Sequence, residues 1–81
     1  QHGEGVTKDI NEAVKLYQQA VEQGDAIAQF YLGVCYQFGE GVPTDLRNAI
    51  GLLRLSADQG VAEAQFNLGV CYYNGQGVTK D

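Results

Sequence analysis

The side chains that could perform chemistry in this sequence are few, and they do not cluster. His2 is the only histidine and stands near the start of the sequence. A histidine works as a general base only within hydrogen-bond reach of its target. Because nothing in the pattern supplies such a target, we interpret His2 as a solvent-exposed residue.

Cys35 and Cys71 are the other potential nucleophiles. A reactive thiolate needs a polar, electropositive setting, and both cysteines instead fall on the apolar side of a predicted helix. We predict that they pack as small hydrophobic residues. Ser56 has no lysine three residues after it, so the Ser-x-x-Lys motif of penicillin-recognising enzymes is absent. We predict a packing role for Ser56 as well.

Glycine-rich runs at 39–41 and 75–77 could suggest phosphate-binding loops. Neither run is followed by Gly-Lys-Ser/Thr, and each precedes an acidic residue that would cap a helix. No group of cysteine, histidine or carboxylate residues has metal-ligand spacing. We therefore predict no catalytic residue, no metal site and no cofactor, and expect that the protein is not an enzyme.

The elements that carry these residues follow an internal repeat. When the sequence is shifted by 36 positions, 23 of the 45 overlapping pairs are identical without a gap. The run Leu32 to Tyr36, for example, falls on the run Leu68 to Tyr72. The repeat predicts the second half of one unit at 1–24, a complete unit at 25–60 and the first part of another at 61–81.

One period has the pattern of two amphipathic helices. Asp9 is a good N-cap and Glu12 completes a capping box, while Gly24 suits the left-handed residue that follows a helix. The helix between them has an apolar face about 160° wide, formed by Ile10, Ala13, Val14, Leu16, Tyr17, Ala20 and Val21. The predicted helices cover about 10–23, 26–38, 46–59 and 62–74. Short links imply antiparallel neighbours, so we predict an all-α fold, an α/α superhelix (solenoid) of antiparallel helix pairs.

Gly33 and Gly69 lie inside predicted helices, where glycine costs about 1 kcal/mol relative to alanine. Both copies of the repeat place glycine at this position. We therefore predict a close helix–helix approach that leaves no room for a Cβ atom.

The charge balance is five basic against ten acidic residues, a net charge of −5. Without a basic stripe, nucleic acid and anionic membrane surfaces are poor partners. No apolar run approaches the ~20 residues of a membrane span, so no membrane insertion is expected. The sequence starts within a repeat, so we expect the natural protein to continue on both sides and assign no compartment.

The pattern Ala-x-Ala-Gln-x-x-Leu-Gly-x-x-Tyr-x-x-Gly-x-Gly-Val-x-x-Asp-x-x-x-Ala, continuing to Gln-Gly, runs from Ala26 to Gly60 and again from Ala62 to Asp81. It resembles the Sel-one-like repeat (SLR), a relative of the tetratricopeptide repeat. The resemblance covers essentially the whole sequence and implies a right-handed superhelix of α-hairpins that acts as an adaptor or scaffold for protein complexes. Family members occur in bacterial secreted or periplasmic proteins and in endoplasmic-reticulum quality control.

The sequence departs from a cysteine-rich branch of that family, which carries two cysteines per repeat joined within the helix pair. Here there is one cysteine per repeat. Neighbouring helices pack about 8–10 Å apart, whereas a disulfide needs Cα atoms within about 7 Å. We predict two free thiols and do not carry over the disulfides of that branch. Its penicillin-recognising hydrolase activity stays a less favoured alternative.

The helix at 26–38 and its copy at 62–74 differ mainly along one stripe. Ile27, Tyr31 and Phe38 in the first copy are replaced by Glu63, Asn67 and Asn74 in the second. The stripe lies roughly opposite the side that both copies share, and in repeats of this kind this helix lines the concave surface. We predict a protein-binding surface, apolar in the first unit and more polar in the second, formed by Ile27, Tyr31, Val34, Phe38, Glu63, Asn67, Val70 and Asn74.

We interpret the protein as an interaction scaffold whose stripe binds a peptide or protein segment. Two alternatives stay open: the aromatic stripe residues could pack against a preceding repeat, and the segment could be a structural spacer. Repeat arrays need polar terminal caps, which this sequence lacks. We therefore expect this piece alone to be marginally stable or to self-associate end to end.

Overall fold

The described part of the chain folds into four α-helices of 13 residues each. A computed structural model describes residues 9–75, and within them the helices are α1 (Ile10–Glu22), α2 (Ala26–Phe38), α3 (Leu46–Asp58) and α4 (Ala62–Asn74). This part of the chain contains no β-strand, and the all-α prediction is confirmed. None of its helices has the length and apolar character needed to cross a bilayer.

The helices begin where short-range hydrogen bonding favours a start. The side chains of Asp9, Asp25 and Asp45 each accept a hydrogen bond from the backbone N–H three residues later, at 2.8–3.1 Å. These bonds satisfy N–H groups that have no partner inside the helix. The fourth helix has Val61 as its N-cap residue, whose side chain makes no capping hydrogen bond. The predicted ends at 23 and 59 each extend one residue too far, because Gln23 and Gln59 are the C-caps.

Consecutive helices pack in antiparallel fashion. At one end of the α2–α3 pair, the Ser56 hydroxyl donates to the carbonyl oxygen of Ala26 at 2.7 Å. At the other end, the backbone N–H of Asp45 donates to the carbonyl oxygen of Tyr36 at 2.9 Å. The start of each helix therefore lies beside the end of its partner, as the short links predicted.

Two clusters of buried side chains form the core, and each contains one cysteine. The first is built from Val14, Leu32 and Cys35. The second is built from Ile50, Leu53, Ala64 and Cys71. Because each cluster fills the space between helices of a different pair, the core is distributed along the chain.

Both thiols are free and buried, so the prediction that they pack as small hydrophobic residues is confirmed. Burial raises the pKa of Cys71. Burial also raises the pKa of Cys35, with a smaller contribution from the Glu40 carboxylate. Both effects disfavour the thiolate, which is the reactive form.

The predicted close approach is confirmed at Gly33. A Cβ atom on Gly33 would lie 3.1 Å from Cγ and 3.2 Å from Cδ2 of Leu53, and 3.4 Å from the carbonyl oxygen of Ala49. The same prediction was wrong for Gly69 within the described residues, since a Cβ atom there would meet nothing within 4 Å. The reason is that α3 packs against Gly33, whereas none of the described helices packs against that side of α4.

The link between α2 and α3 packs against helix α1. Its backbone is left-handed at Gly41, with a φ of 73°. A Cβ atom on Gly41 would lie 2.7 Å from Cγ2 of Val14 and 3.2 Å from Cγ1 of Ile10. The link therefore rests directly on α1, and only glycine fits there.

Candidate functional site

The described residues that were considered for catalysis, Ser56, Cys35 and Cys71, are buried between the helices. Ser56 has no exposed surface, and its hydroxyl is engaged by the Ala26 carbonyl. Cys35 and Cys71 are buried in the two core clusters. Among residues 9–75, no three histidine, cysteine or carboxylate side chains come together as a metal site. His2 lies outside the described residues.

The stripe predicted on α2 lies at the molecular surface. Ile27 is 53% exposed, Tyr31 46% and Phe38 64%, while Val34 is half-buried. On the other side of the same helix, the residues that enter the core are buried, namely Ala28, Gln29, Leu32, Gly33 and Cys35. The helix thus presents an apolar surface on both sides, one packed and one open to solvent.

Tyr31 belongs both to the packing and to the surface. Its ring stacks on that of Tyr17 in α1, with centroids 5.6 Å apart and an interplanar angle of 14°. Phe30 approaches Tyr31 edge-on, with centroids 5.1 Å apart. Tyr31 therefore does pack against the preceding helix α1, which was one of the two alternatives for the aromatic stripe residues. Because nearly half of Tyr31 stays exposed, the ring is held in a fixed orientation and still accessible.

The second half of the stripe, on α4, is more polar. Glu63 and Asn74 are exposed, and Asn67 and Val70 are half-buried. Phe66, a large apolar side chain of α4 that is not part of the predicted stripe, is 72% exposed. The eight predicted residues therefore all reach the surface, with apolar groups on α2 and hydrogen-bonding groups on α4.

This arrangement is suited to holding an apolar side chain of another molecule. The rings of Tyr17 and Tyr31 form a fixed aromatic surface, and aromatic groups lose little conformational freedom when they are covered. The amides of Asn67 and Asn74 each offer two donors and an acceptor. Such a surface can bury an anchor residue and pair the polar groups beside it.

Sequence reasoning missed two parts of the structure. Tyr17 packs against the Cys35 cluster, as its place on the apolar face of its helix predicted, but its stacking on the exposed Tyr31 was not predicted. Gln29 is 6% exposed, and its Oε1 accepts a hydrogen bond from Nε2 of Gln59 at 2.7 Å. The sequence does contain a signal for the Gln29–Gln59 contact, because glutamine occurs in both copies of the repeat, at 29 and 65 and at 23 and 59.

Antiparallel helix pairs that share a repeated core and repeated caps define the chain as an all-α helical-repeat protein. The chain belongs to the Sel1 repeat family, whose model matches residues 1–25, 26–61 and 62–81. Repeats of this family generally mediate protein–protein interactions. Among curated proteins, none matches the chain.

The solved structures that are similar to this chain include those of two repeat proteins. A Sel1 repeat protein from Oxalobacter formigenes is 36% identical with a TM-score of 0.88, over 99% of this chain and 33% of that one. A protective antigen present in uropathogenic Escherichia coli strains, which displays an SLR fold, is 41% identical with a TM-score of 0.90. That match covers 99% of this chain and 17% of the antigen. The chain thus spans a third or less of the length of these relatives.

Proposed function

We propose that this chain is a protein-interaction module that binds a peptide or protein segment along the stripe of α2 and α4. An apolar residue of the partner covers Ile27, Tyr31 and Phe38, and its flanking polar groups pair with the amides of α4. The stripe faces the concave side of the repeat array, as is usual for this helix in α-solenoids.

The observation that carries this proposal is the exposure of three large apolar side chains on one stripe of one helix. Ile27, Tyr31 and Phe38 are each about half exposed or more. Single exposed apolar residues are ordinary, whereas a contiguous group on a rigid element is typical of interaction surfaces. The stacking of Tyr31 on Tyr17 adds support, because a partner need not order that ring on binding.

The test begins with a displayed peptide library selected against the immobilised 81-residue chain. Selected peptides are then titrated against the chain and against a Tyr31→Ala/Phe38→Ala variant. Truncating an aromatic anchor at the centre of an interface costs about 2 kcal/mol or more, which is a loss of affinity of about thirtyfold or more. We expect a loss of that size for the double variant.

A Leu55→Ala/Tyr72→Ala variant is the matched control. Leu55 is 52% exposed and Tyr72 40% exposed, and both lie away from the stripe. This variant removes comparable apolar surface and should bind the peptides with unchanged affinity. Circular dichroism must show both variants folded. If no peptide is selected, or if the stripe variant binds as well as the parent chain, the proposal is wrong and the segment is a spacer between other repeats.

A further inference from the structure

Glu63 is the only charged side chain on the two helices that carry the stripe. Neither α2 (Ala26–Phe38) nor the rest of α4 (Ala62–Asn74) contains another charged residue. Glu63 is exposed, and within residues 9–75 no side chain forms an ion pair or a hydrogen bond with its carboxylate. A surface otherwise built from apolar and uncharged polar groups therefore presents a single negative charge.

The repeat position of Glu63 is open in both copies. Ile27 is its counterpart in the first copy, and it is 53% exposed although α3 and α4 follow it. Glu63 is exposed although α2 and α3 precede it. The opening at this position therefore persists beside a following helix pair and beside preceding helices.

Ile27 and Glu63 stand side by side on neighbouring helices. The Gln37 amide on α2 donates to the Cys71 sulfur on α4 at 3.5 Å, and both helices run antiparallel to α3, so α2 and α4 are parallel neighbours. Ile27 and Glu63 are each the second residue of their helix. Packed helices lie about 8–10 Å apart, and an extended segment advances about 3.3–3.6 Å per residue. A segment that crosses from α2 to α4 therefore covers the two positions with residues about three apart.

The end of the molecule that contains Glu63 carries carboxylates and no cation among residues 9–75. Glu22 ends α1 and Asp58 ends α3, and neither helix has a basic residue in its last turn. Asp25 caps the start of α2 at this same end, because consecutive helices are antiparallel. The summed negative charge attracts a cation and repels an anion that approaches the start of the stripe.

The cations of the described residues are placed elsewhere. Lys15 pairs with Glu12 at 3.9 Å on α1. The Arg54 guanidinium lies 5.7 Å from the centroid of the Tyr72 ring, near the other end of α4. Arg47 is in the first turn of α3, which lies beside the end of α2. A cation for Glu63 must therefore come from outside the described part of the chain.

We propose that the segment bound on the stripe carries an arginine or lysine that pairs with Glu63, about three residues from the apolar residue that covers Ile27. The inference rests on the proposed function, since the apolar stripe provides the docking and Glu63 selects the charge of the segment. An arginine fits best, because its planar guanidinium can form two hydrogen bonds to one carboxylate. A segment with a carboxylate at that spacing is repelled.

The first test is a selection with displayed short peptides in which one tryptophan is fixed and the other positions vary. The parent chain should enrich arginine or lysine about three residues from the tryptophan. A Glu63→Lys chain should instead enrich aspartate or glutamate at that spacing. This reversal is expected only if the side chain at position 63 contacts the peptide.

The second test measures the affinity of a selected peptide for Glu63→Gln and for its matched control, Glu12→Gln. Each variant removes one exposed carboxylate from the first turn of a helix, so the net charge changes alike. Glu63→Gln should lose about two- to fivefold in affinity, the range for an exposed ion pair, and Glu12→Gln should bind as the parent does. Salt should weaken binding to the parent more than to Glu63→Gln.

A third arm needs no variant chain to fold. Replacing the cation of the peptide by glutamine should weaken its binding to the parent by about two- to fivefold. The same replacement should not change binding to Glu63→Gln, which closes a double-mutant cycle. Circular dichroism checks that each variant chain is folded.

The results separate this inference from the function on which it rests. Peptides that lose affinity for Tyr31→Ala/Phe38→Ala but show no enriched cation overturn the inference and leave the proposed function standing. Equal affinities for Glu63→Gln and Glu12→Gln have the same meaning. If no selected peptide depends on Tyr31 and Phe38, both the inference and the proposed function are wrong.

Discussion

The three glycines inside the helices of residues 9–75 provide a direct test of where this fold is tightly packed. Each stands in a helix interior, where alanine is favoured over glycine by about 1 kcal/mol. Gly51 and Gly69 have nothing within 4 Å of an added Cβ atom. Gly33 has Leu53 at 3.1 Å and the Ala49 carbonyl oxygen at 3.4 Å. The same substitution should therefore have opposite effects at different positions.

The expected magnitudes follow from two opposing contributions. Gly51→Ala and Gly69→Ala should each raise the free energy of unfolding by about 1 kcal/mol. Gly33→Ala gains the same helix propensity, but its Cβ atom would lie 3.1 Å from Cγ of Leu53, which is completely buried, so that side chain must shift. Overpacking of this kind costs about 1–3 kcal/mol. Gly33→Ala should therefore lie about 1–3 kcal/mol below the other two variants.

The assay is urea unfolding followed by circular dichroism, at a protein concentration where every variant is monomeric. A double-mutant cycle with Leu53→Ala isolates the contact. Because that change is itself costly, the cycle is measured in the Gly51→Ala background. With Leu53 shortened, Gly33→Ala should become stabilising by about 1 kcal/mol. Equal stabilisation by alanine at 33, 51 and 69 would refute the close approach of α2 and α3.

Three further predictions concern the cap, the link and the thiols. Asp25→Ala should lower the free energy of unfolding by about 1 kcal/mol, because the N–H of Ala28 loses its acceptor; urea unfolding measures this, and an unchanged midpoint would contradict it. Gly41→Ala and Gly24→Ala both place alanine at a left-handed φ, but only the first also contacts Val14. It should be the more destabilising by about 1–3 kcal/mol, and equal midpoints would contradict the seating of the link on α1. Burial raises the pKa of both thiols above their ordinary value of 9.0, so the unfolded chain loses these protons first. The contribution of the two buried thiols to stability is complete below pH 9.0 and falls as pH rises through the folded-state pKa. Because the thiols are buried, iodoacetamide should alkylate both slowly in the native chain and rapidly in urea. Equal alkylation rates in the two states would contradict their burial.

The helix boundaries could be predicted from the sequence because they are set by local interactions. An aspartate before an apolar run caps a helix through its own backbone neighbours, as at Asp9 and Asp45. A glycine that follows a helix adopts a left-handed φ that other residues reach only at a cost. These interactions lie within a few residues, so the prediction of α2 as 26–38 matched the observed helix.

Exposure could not be predicted in the same way, because it depends on which helices flank each other. Leu16 and Leu52 are the same residue type at the same repeat position, yet Leu16 is exposed and Leu52 packs against the Cys35 cluster. The periodicity of α1 placed Leu16 on the apolar face, and that face is wider than the part α2 covers. The stripe could be predicted to lie at the surface because its residues differ between the copies. The stacking of Tyr17 on Tyr31 joins two helices and is visible only in the structure.

The position of Gly41 has a consequence for how the molecule opens. The link at 39–45 closes one helix pair, but it also touches Ile10 and Val14 at the start of the preceding helix. Its ends are fixed to α2 through the N–H groups of Glu40 and Asp45, which donate to Cys35 and Tyr36. Detachment of α1 therefore exposes the link, and loosening of the link frees the first turn of α1. The two segments should exchange their amide hydrogens as one cooperative unit, so that this link couples the fraying of α1 to the opening of the α2–α3 pair.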